Sequence, residues 1–368
     1  MNAGLTPSSP YISSTSEERY DHSAIPPVRQ TFTQHGRSTQ EALQTRLGAI
    51  SLRYALLSSP RPHPTHLATP YPRNPPAPET PSTNSFPTPG ADKAHNLSHA
   101  RTQVLAASHA GASVVVLPEC FNSPYGCQYF PHYAETLLPT PPTPSQSPSY
   151  HALSALAKES ATYLIGGSIP EYVPATQRYH NTSLVFTPTG ELLATHRKVH
   201  LFDIDIPGKI TFRESDVLTA GDKVTLFDIP EYGRIALAIC YDVRFPELAT
   251  IAARKGAFLL VYPGAFNMTT GPLHWALQAR ARAMDNQVYV ALCSPARDMQ
   301  ASYKAWGHSM VVDPNAAVMV EAGEEEEIVY AELEVGRIEE ARKGIPLYEQ
   351  RRFDVYPDVS QGKVRYEE

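Results

Sequence analysis

The order of helices and strands that can be read from this 368-residue chain predicts an α/β fold. A helix with one apolar face begins near Asp92, and the short apolar run 112–118 follows it. A second apolar run, 235–239, ends at Cys240, and a further helix with Pro246 in its first turn comes directly after it. Because short apolar runs that alternate with amphipathic helices are typical of buried strands, we expect sheets covered by helices.

The remaining elements continue this alternation. Helices are predicted over residues 150–160, 273–286 and 337–343. Strands are predicted over residues 163–169, 182–187, 192–199, 224–229, 234–239, 258–262, 288–292, 308–312, 317–320 and 328–335. The strands 224–229 and 234–239 are close enough in sequence to form a hairpin, whereas residues 200–222 are expected to be irregular.

Residues 1–90 differ in composition from the rest of the chain. Eleven prolines lie within residues 58–90, and prolines at this density prevent regular hydrogen-bonded structure. We therefore expect most of this region to be disordered, with a folded domain over 91–358 and a tail at 359–368. The exception is the apolar stretch 47–57, which could pair as a strand or form a short amphipathic helix.

Composition and charge exclude several classes of partner. The net charge of −6 and the pI near 6.2 argue against binding to nucleic acid or to an anionic membrane. No apolar run approaches the roughly 20 residues that a membrane-spanning helix needs. The cysteines, at positions 120, 127, 240 and 293, lack the spacing of a metal site, so we expect no bound metal and a reduced, cytoplasmic protein.

The first 30 residues lack the apolar segment of a secretory signal. They are rich in Ser and Thr, as mitochondrial transit peptides are, but they contain the acidic residues Glu17, Glu18 and Asp21. A mitochondrial location is therefore the weaker alternative to the cytoplasm.

Three residues of reactive type lie where a predicted apolar strand ends. Glu119 follows the run VVVLP, Lys198 follows LLATHR and Cys240 follows IALAI. Each alone has a simpler explanation, as a solvated acid, part of a basic surface turn and a small core residue. Together they supply a carboxylate base, a cation for an oxyanion and a thiol nucleophile, as thiol-dependent acyl transfer requires. The helix that begins just beyond Cys240 is expected to favour its thiolate form.

No histidine except His200 lies at an obvious strand end, so glutamate is a better candidate for the base than histidine.

Seven phrases occur in order along residues 92–356, and they are VVLPECFNSPYG, YLIGGSIPE, HRKVHLFDIDIPGKITFRES, ICYDVRFPELA, VYPGAFNMTTGPLHW, ARAMDNQVYVA and SPARD. With these phrases the chain resembles the nitrilase superfamily of carbon–nitrogen hydrolases, and most closely its omega-amidase branch. The first 90 residues match nothing in this family.

The resemblance implies a role for each residue of the site. It makes Glu119 the general base, Lys198 the oxyanion lysine and Cys240 the nucleophile, with Glu214 as a supporting acid that orients the lysine and the substrate. The backbone N–H of Tyr241 would complete the oxyanion hole. The implied fold is a four-layer α-β-β-α sandwich of two mixed sheets, the implied assembly is a homodimer, and the implied chemistry requires neither a metal nor an organic cofactor.

Members of the branch that this chain resembles hydrolyse amides of dicarboxylic acids such as 2-oxoglutaramate and 2-oxosuccinamate. A distal carboxylate is best bound by an Arg fork and hydroxyl donors. Arg244 and Thr270 are the matching positions, and Tyr125 in the aromatic loop is a third candidate. The alternative for Arg244 is an ion pair with a neighbouring acid, Asp242 or Glu247.

The chain departs from the family where the first core strand is expected. Family members begin with an apolar strand directly before the helix that here begins near Asp92, and this chain has STNSFPTPGADK there. Either residues 47–57 supply the strand through a long Pro-rich loop, or the first 90 residues come from a different translation start and the sheet lacks this strand.

The sequence thus favours an omega-amidase that acts on a small amide. Within the same fold the alternative is a deaminated-glutathione amidase or another amidase of the family. From a different class, the alternative is a scaffold of weak catalytic activity that binds partners through the Pro-rich N-terminal segment.

Overall fold

The computed structural model describes residues 51–58, 91–352 and 366–367. The disorder predicted for residues 1–90 lies outside the described residues except at 51–58, and most of the predicted tail at 359–368 does too. Within the described residues, no helix is long and apolar enough to cross a membrane.

The described part of the chain alternates between short strands and helices. The strands are β1 (Ser51–Ser58), β2 (Val114–Val116), β3 (Tyr163–Ile165), β4 (Ile169–Val173), β5 (Arg178–Phe186), β6 (Leu192–Arg197), β7 (Asp203–Ile206), β8 (Ile210–Arg213), β9 (Val224–Ile229), β10 (Gly233–Leu237), β11 (Leu259–Pro263), β12 (Tyr289–Cys293), β13 (Met310–Val312), β14 (Val318–Glu321), β15 (Glu327–Glu334) and β16 (Tyr366–Glu367). The helices are α1 (Lys93–His109), α2 (Phe130–Tyr133), α3 (Pro148–Ser160), α4 (Pro246–Arg254), α5 (Gly271–Asn286), α6 (Val335–Gly344) and α7 (Leu347–Gln350).

The strands that the structure describes form two mixed seven-stranded sheets and one hairpin. The first sheet has the order β15-β1-β2-β3-β5-β4, and β6 also pairs with β5. The second sheet has the order β14-β13-β12-β11-β10-β9-β16. The hairpin consists of β7 and β8. Strands β1 to β3 are mutually parallel, as are β10 to β12, and both sets have helices in their connections.

The two sheets pack face to face and each is covered by helices on its outer face. Along β2, Val114 and Val116 point into the core between the sheets, whereas Val115 packs with α1 and α3. Along β11, Val261 points into the same central core and Leu260 packs with α4 and α5. Because alternate residues of a strand face opposite sides, strands covered on both faces are apolar throughout. The result is the four-layer α-β-β-α sandwich that the family resemblance implies.

Strand β1 lies in the position that the sequence leaves unfilled directly before α1. It pairs in parallel with β2, where Tyr54 is opposite Val114, and antiparallel with β15, where Tyr54 is opposite Ala331. This strand, Ser51–Ser58, overlaps most of the stretch 47–57 that we considered for this role. It is a central strand of the first sheet, so it connects β15 to the remaining strands.

Two predicted segments differ from the structure. The predicted strand 163–169 is divided into β3 and the start of β4 by a turn at Gly167, which has a φ of 58°. A Cβ atom at Gly167 would lie 2.1 Å from the carbonyl oxygen of Pro118, so the turn requires glycine. The segment 200–222, expected to be irregular, contains the β7–β8 hairpin, whose four-residue strands are too short to show a clear sequence period.

Candidate active site

The structure brings together the three strand ends that the sequence singles out. Glu119 follows β2, Lys198 follows β6 and Cys240 follows β10, so the first two come from one sheet and the third from the other. Their side chains are almost completely buried, with exposed fractions of 1% for Glu119 and Lys198 and 4% for Cys240. Residues separated by 79 positions in sequence, Glu119 and Lys198, form an ion pair of 3.0 Å here.

Among the described residues, only one of the two carboxylate oxygens of Glu119 has hydrogen-bond partners. Its Oε1 accepts hydrogen bonds from Lys198 Nζ at 3.0 Å and from Asn181 Nδ2 at 2.9 Å. Its Oε2 is buried and has no hydrogen-bond partner among the described residues. Burial raises the pKa of Glu119, and the interactions with Lys198 and Cys240 offset this only in part. One oxygen is therefore held in place while the other is available to accept a proton.

Lys198 is a buried cation between two carboxylates. Its Nζ donates to Glu119 Oε1 and, at 2.9 Å, to Glu214 Oε1. Burial by itself would lower the pKa of Lys198, but the two acids raise it well above its ordinary value. The ammonium group therefore stays charged and can stabilise a developing oxyanion.

Glu214 begins the 3-10 turn after β8, is fully buried and is held at both oxygens. Its Oε1 also accepts a hydrogen bond from the hydroxyl of Tyr125 at 2.8 Å, and its Oε2 accepts one from the backbone N–H of Phe202 at 2.8 Å. Tyr125, which the sequence suggests as a substrate contact, thus has its hydroxyl engaged by Glu214. Its ring lies 4.4 Å from the ring of Tyr303 and 6.0 Å from that of Phe212, in an aromatic wall beside the site.

Cys240 occupies a tight elbow between β10 and α4. Its φ of 46° lies in the left-handed region, which is rare for a residue with a side chain, and the 3-10 turn Cys240–Arg244 begins there. The backbone N–H of Ala265 donates to its Sγ at 3.4 Å. Backbone strain of this kind is common where a nucleophile is presented at a strand-to-helix turn.

The expectation that the helix after Cys240 favours a thiolate is wrong for the resting site. Burial raises the pKa of Cys240 well above its ordinary value, and the negative charge of Glu119 adds to this, while Lys198 and the N–H of Ala265 act in the opposite direction. Desolvation is the largest of these influences because the thiol is buried. Cys240 therefore rests as a thiol, and a base must remove its proton during attack.

Asp242 connects the lysine strand to the cysteine elbow. Its Oδ2 accepts a hydrogen bond from the backbone N–H of Ile239 at 2.9 Å and lies 3.2 Å from His196 Nε2. Its Oδ1 accepts from the backbone N–H of His200 at 2.8 Å and lies 2.8 Å from the Nδ1 of the same residue. Burial opposes ionisation of Asp242, but the hydrogen bonds from the two histidines hold its pKa well below the ordinary value. Since these histidines flank Lys198 at two residues on either side, Asp242 fixes the position of Lys198 relative to Cys240.

Arg244 does not form the ion pair that the sequence offers as the alternative. Asp242 is engaged by the two histidines, and no carboxylate of the described residues forms an ion pair with Arg244. Its guanidinium instead lies over the rings of Tyr241, at 5.3 Å, and Phe266, at 4.7 Å, and its Nη1 lies 3.0 Å from His274 Nδ1. Its Nε is buried without a partner. A cation close to Cys240 thus has donors to spare.

Thr270 lies at the start of α5, in the same turn as His274. The two are linked by a hydrogen bond of 3.0 Å from the His274 N–H to the Thr270 carbonyl oxygen. The hydroxyl of Thr270 donates to Asn267 Oδ1 at 3.1 Å, so Thr270 is anchored within its own turn. The other substrate candidate, Arg244, contacts this turn through His274.

Sequence reasoning missed several residues of the site. Asn181 contacts Glu119, His274 contacts Arg244, and Tyr303 contacts Tyr125. Asp242 contacts the two histidines that flank Lys198. These four residues lie in a strand, a helix, a loop and a 3-10 turn, where polar residues are common. Among these residues, only Asp242 could be suspected from the sequence, because it lies two residues after the predicted nucleophile Cys240. Its partners His196 and His200 lie two residues before and two residues after Lys198.

A buried thiol beside a carboxylate and a cation, at the edge of an α-β-β-α sandwich, defines the class of thiol-dependent hydrolases. The family model described as carbon-nitrogen hydrolase matches residues 83–343, which is more than half of the chain. The chain therefore belongs to the carbon–nitrogen hydrolase family and is an enzyme of that family.

Known proteins are similar to this chain over most of its length. A hydrolase of Schizosaccharomyces pombe is 56% identical over 268 residues, which cover 73% of this chain and 80% of that protein. The omega-amidase NIT3 of Saccharomyces cerevisiae is 54% identical over 271 residues, which cover 73% of this chain and 91% of that protein. The crystal structure of S. cerevisiae Nit3, described as a member of branch 10 of the nitrilase superfamily, aligns with a TM-score of 0.69 at 44% identity, covering 83% of this chain and 98% of that one.

Proposed function

We propose that this enzyme is an omega-amidase, which hydrolyses the side-chain amide of 2-oxo dicarboxylate monoamides such as 2-oxoglutaramate and 2-oxosuccinamate. The observation that carries the proposal is Arg244, a half-buried cation near Cys240 with no acidic partner among the described residues. A substrate with an amide at one end and a carboxylate at the other would meet Cys240 and Arg244 together. The similarity to an omega-amidase of S. cerevisiae supports the same substrate class.

In the first half of the reaction, Glu119 Oε2 takes the proton of the Cys240 thiol as Sγ attacks the amide carbonyl carbon. The carbonyl oxygen becomes an oxyanion that Lys198 and the backbone N–H of Tyr241 stabilise. Glu119 then gives its proton to the amide nitrogen, the C–N bond breaks, and ammonia leaves. The product is a thioester between Cys240 and the acyl group.

In the second half, water enters the position that ammonia has left. Glu119 takes a proton from the water as its oxygen attacks the thioester carbonyl, and the same two donors hold the second oxyanion. The C–S bond breaks, and Cys240 regains its proton from Glu119. The raised pKa of Glu119 suits this exchange, because a carboxyl whose pKa is closer to the working pH can both accept a proton and return it.

The direct test is ammonia release from 2-oxoglutaramate by the full chain and by Cys240→Ala. We expect the substitution to abolish activity, whereas Cys127→Ala, at a partly exposed cysteine in the aromatic wall, should retain most of it. Activity that survives Cys240→Ala contradicts the mechanism. A panel of amides distinguishes the alternatives, since a preference for deaminated glutathione indicates that amidase, and a folded protein inactive on every amide favours the scaffold hypothesis.

We also propose that the enzyme is a homodimer. The helix α5 presents Leu273, Leu277 and Met284 to solvent with exposed fractions of 59%, 64% and 52%. Because residues four and seven positions apart lie on one face of a helix, these side chains form an apolar stripe that a second copy could cover. We expect Leu277→Glu to convert the dimer to a monomer, as measured by sedimentation velocity, and a wild type that sediments as a monomer contradicts this proposal.

For the compartment we propose the cytoplasm. All four cysteines of the chain are described and all are free thiols, as expected for a reducing environment. Fractionation of cells that express the full chain would test this, and enrichment in mitochondria would contradict it.

A further inference from the structure

The guanidinium of Arg244 is held in place by contacts that do not neutralise its charge. Its ring contacts with Tyr241 and Phe266 restrict its plane, and Arg282 Nε and Nη2 bind the backbone carbonyls of Val243 and Arg244 at 2.9 and 3.0 Å. Among the described residues, the side chain of Arg244 makes one hydrogen bond, from Nη1 to His274 Nδ1 at 3.0 Å. A long and flexible side chain is thus restrained near Cys240 in a single arrangement.

The donor and acceptor in this hydrogen bond determine the protonation state of His274. An arginine side chain has donors only, so His274 must accept through an unprotonated Nδ1, and its ring proton must be on Nε2. Burial and the adjacent positive charge of Arg244 lower the pKa of His274, which agrees with a neutral ring. The partner that orients Arg244 is therefore an uncharged acceptor.

A neutral acceptor differs in effect from a carboxylate at the same position. A carboxylate would occupy the donors of Arg244 and cancel its charge, so that a ligand carboxylate would have to compete with it. An imidazole aligns the guanidinium and leaves its remaining donors, including the unpartnered Nε, for a ligand. His274 thus fixes the orientation of the Arg244 guanidinium while leaving its positive charge without a counter-charge among the described residues.

We infer that His274 is a specificity-determining positioning residue, which holds Arg244 for the distal carboxylate of the amide substrate. The inference rests on the proposed function, because it requires a substrate that carries such a carboxylate. It predicts that His274 acts on the binding of the carboxylate and has little effect on the chemistry at Cys240.

The test compares two amides that differ only at the far end. Succinamate has an amide and a carboxylate, and butyramide has a methyl group in place of the carboxylate. For His274→Ala we expect kcat/KM for succinamate to fall roughly 10- to 30-fold, mainly through KM, since a hydrogen bond that orients a charged group is lost. For butyramide we expect a much smaller fall in kcat/KM, because this substrate has no carboxylate for Arg244 to bind.

Two further variants separate orientation from simple packing. His274→Asn keeps a neutral acceptor and should recover part of the loss for succinamate, as judged by KM. His274→Glu keeps an acceptor but adds a negative charge, so it should lower kcat/KM for succinamate more than His274→Ala does, and by a larger factor than it lowers kcat/KM for butyramide. The inhibition constant of succinate against butyramide hydrolysis provides the same comparison without turnover of the charged substrate.

The possible failures are distinguishable. If the wild type hydrolyses butyramide and shows no preference for succinamate, the proposed function and the inference are both contradicted. If the wild type prefers succinamate but the His274 substitutions lower kcat/KM equally for the two substrates, or for neither, the proposed function stands and the inference is wrong. If His274→Ala does not fold, the same criteria apply to His274→Asn and His274→Glu.

Discussion

The charges on the two sides of Cys240 are arranged in opposite ways. On the lysine side, Lys198 donates to both Glu119 and Glu214, and all three side chains are almost fully buried. On the arginine side, Arg244 is half-buried, lies against aromatic rings, and has His274 as its neutral partner. The lysine side thus carries a closed network of paired charges, whereas the arginine side carries a restrained cation without a counter-charge among the described residues.

The proposed function accounts for this difference. The reacting amide is the same in every substrate of an amidase, so the groups that act on it can be paired and preorganised in advance. A distal carboxylate brings its own charge, so a cation that receives it is most effective when no protein carboxylate already neutralises it. Buried ion pairs on the lysine side are also costly to break, whereas Arg244 forms no ion pair within the described part of the chain.

The largest effect is expected from Lys198→Met. The substitution leaves Glu119 and Glu214 buried without their shared cation, so we expect a loss of about 3–5 kcal/mol in the free energy of unfolding. Activity should fall roughly 1000-fold because the oxyanion loses its main donor. Urea denaturation and kcat/KM measure the two effects, and Lys158→Met, at an exposed position on α3, is the matched control. A stable variant with more than a tenth of the activity would contradict the closed network.

The next largest effect is expected from Arg244→Met, which should reduce activity strongly but change stability little. We expect kcat/KM for 2-oxoglutaramate to fall roughly 100-fold through the loss of a charge-assisted contact with the carboxylate. The free energy of unfolding should change by less than about 1 kcal/mol, because no ion pair is broken within the described residues. Destabilisation as large as that of Lys198→Met would show that the two sides do not differ in the way we describe.

A smaller effect is expected from Asp242→Asn, at the connection between Lys198 and Cys240. Loss of the charged hydrogen bonds to His196 and His200 should cost about 2 kcal/mol in stability at neutral pH and reduce kcat roughly tenfold. Because the pKa of Asp242 is lowered in the folded protein, its contribution is present above the unfolded value near 4 and is lost as the pH falls toward the folded value. The difference in unfolding free energy between wild type and variant should therefore shrink below about pH 4. A constant difference across this range would contradict the assignment.

The smallest effect is a displacement of the pH profile. Activity requires an ionised Glu119, and burial raises the pKa of this residue, so kcat/KM should fall on the acid side at a pH above that expected for an exposed glutamate. The negative charge of Glu214 also raises the pKa of Glu119. In Glu214→Gln that charge is absent, so the acid limb should move to lower pH even where the maximal rate is reduced. A limb that moves to higher pH, or does not move, would show that Glu214 does not act on Glu119.

Much of the site could be predicted from sequence because its signals are local. Glu119, Lys198 and Cys240 each follow a predicted strand, and a reactive residue at the end of a buried strand can be recognised within about ten positions. The alternation of helix and strand identifies the α/β class in the same way. The hairpin β7–β8 escaped prediction because its strands are too short to show a period.

The chain by itself determined which chemical groups are present and on which elements they lie, since secondary structure depends on neighbours in sequence. Only the tertiary structure decided how those groups are paired. It placed β1 between β15 and β2, assigned Asp242 to two histidines and left Arg244 with His274. It also decided that Cys240 rests as a thiol, because desolvation and the charge of Glu119 raise the pKa of Cys240 more than Lys198 and the N–H of Ala265 lower it. Burial and long-range pairing depend on residues far apart in sequence, and no local pattern records them.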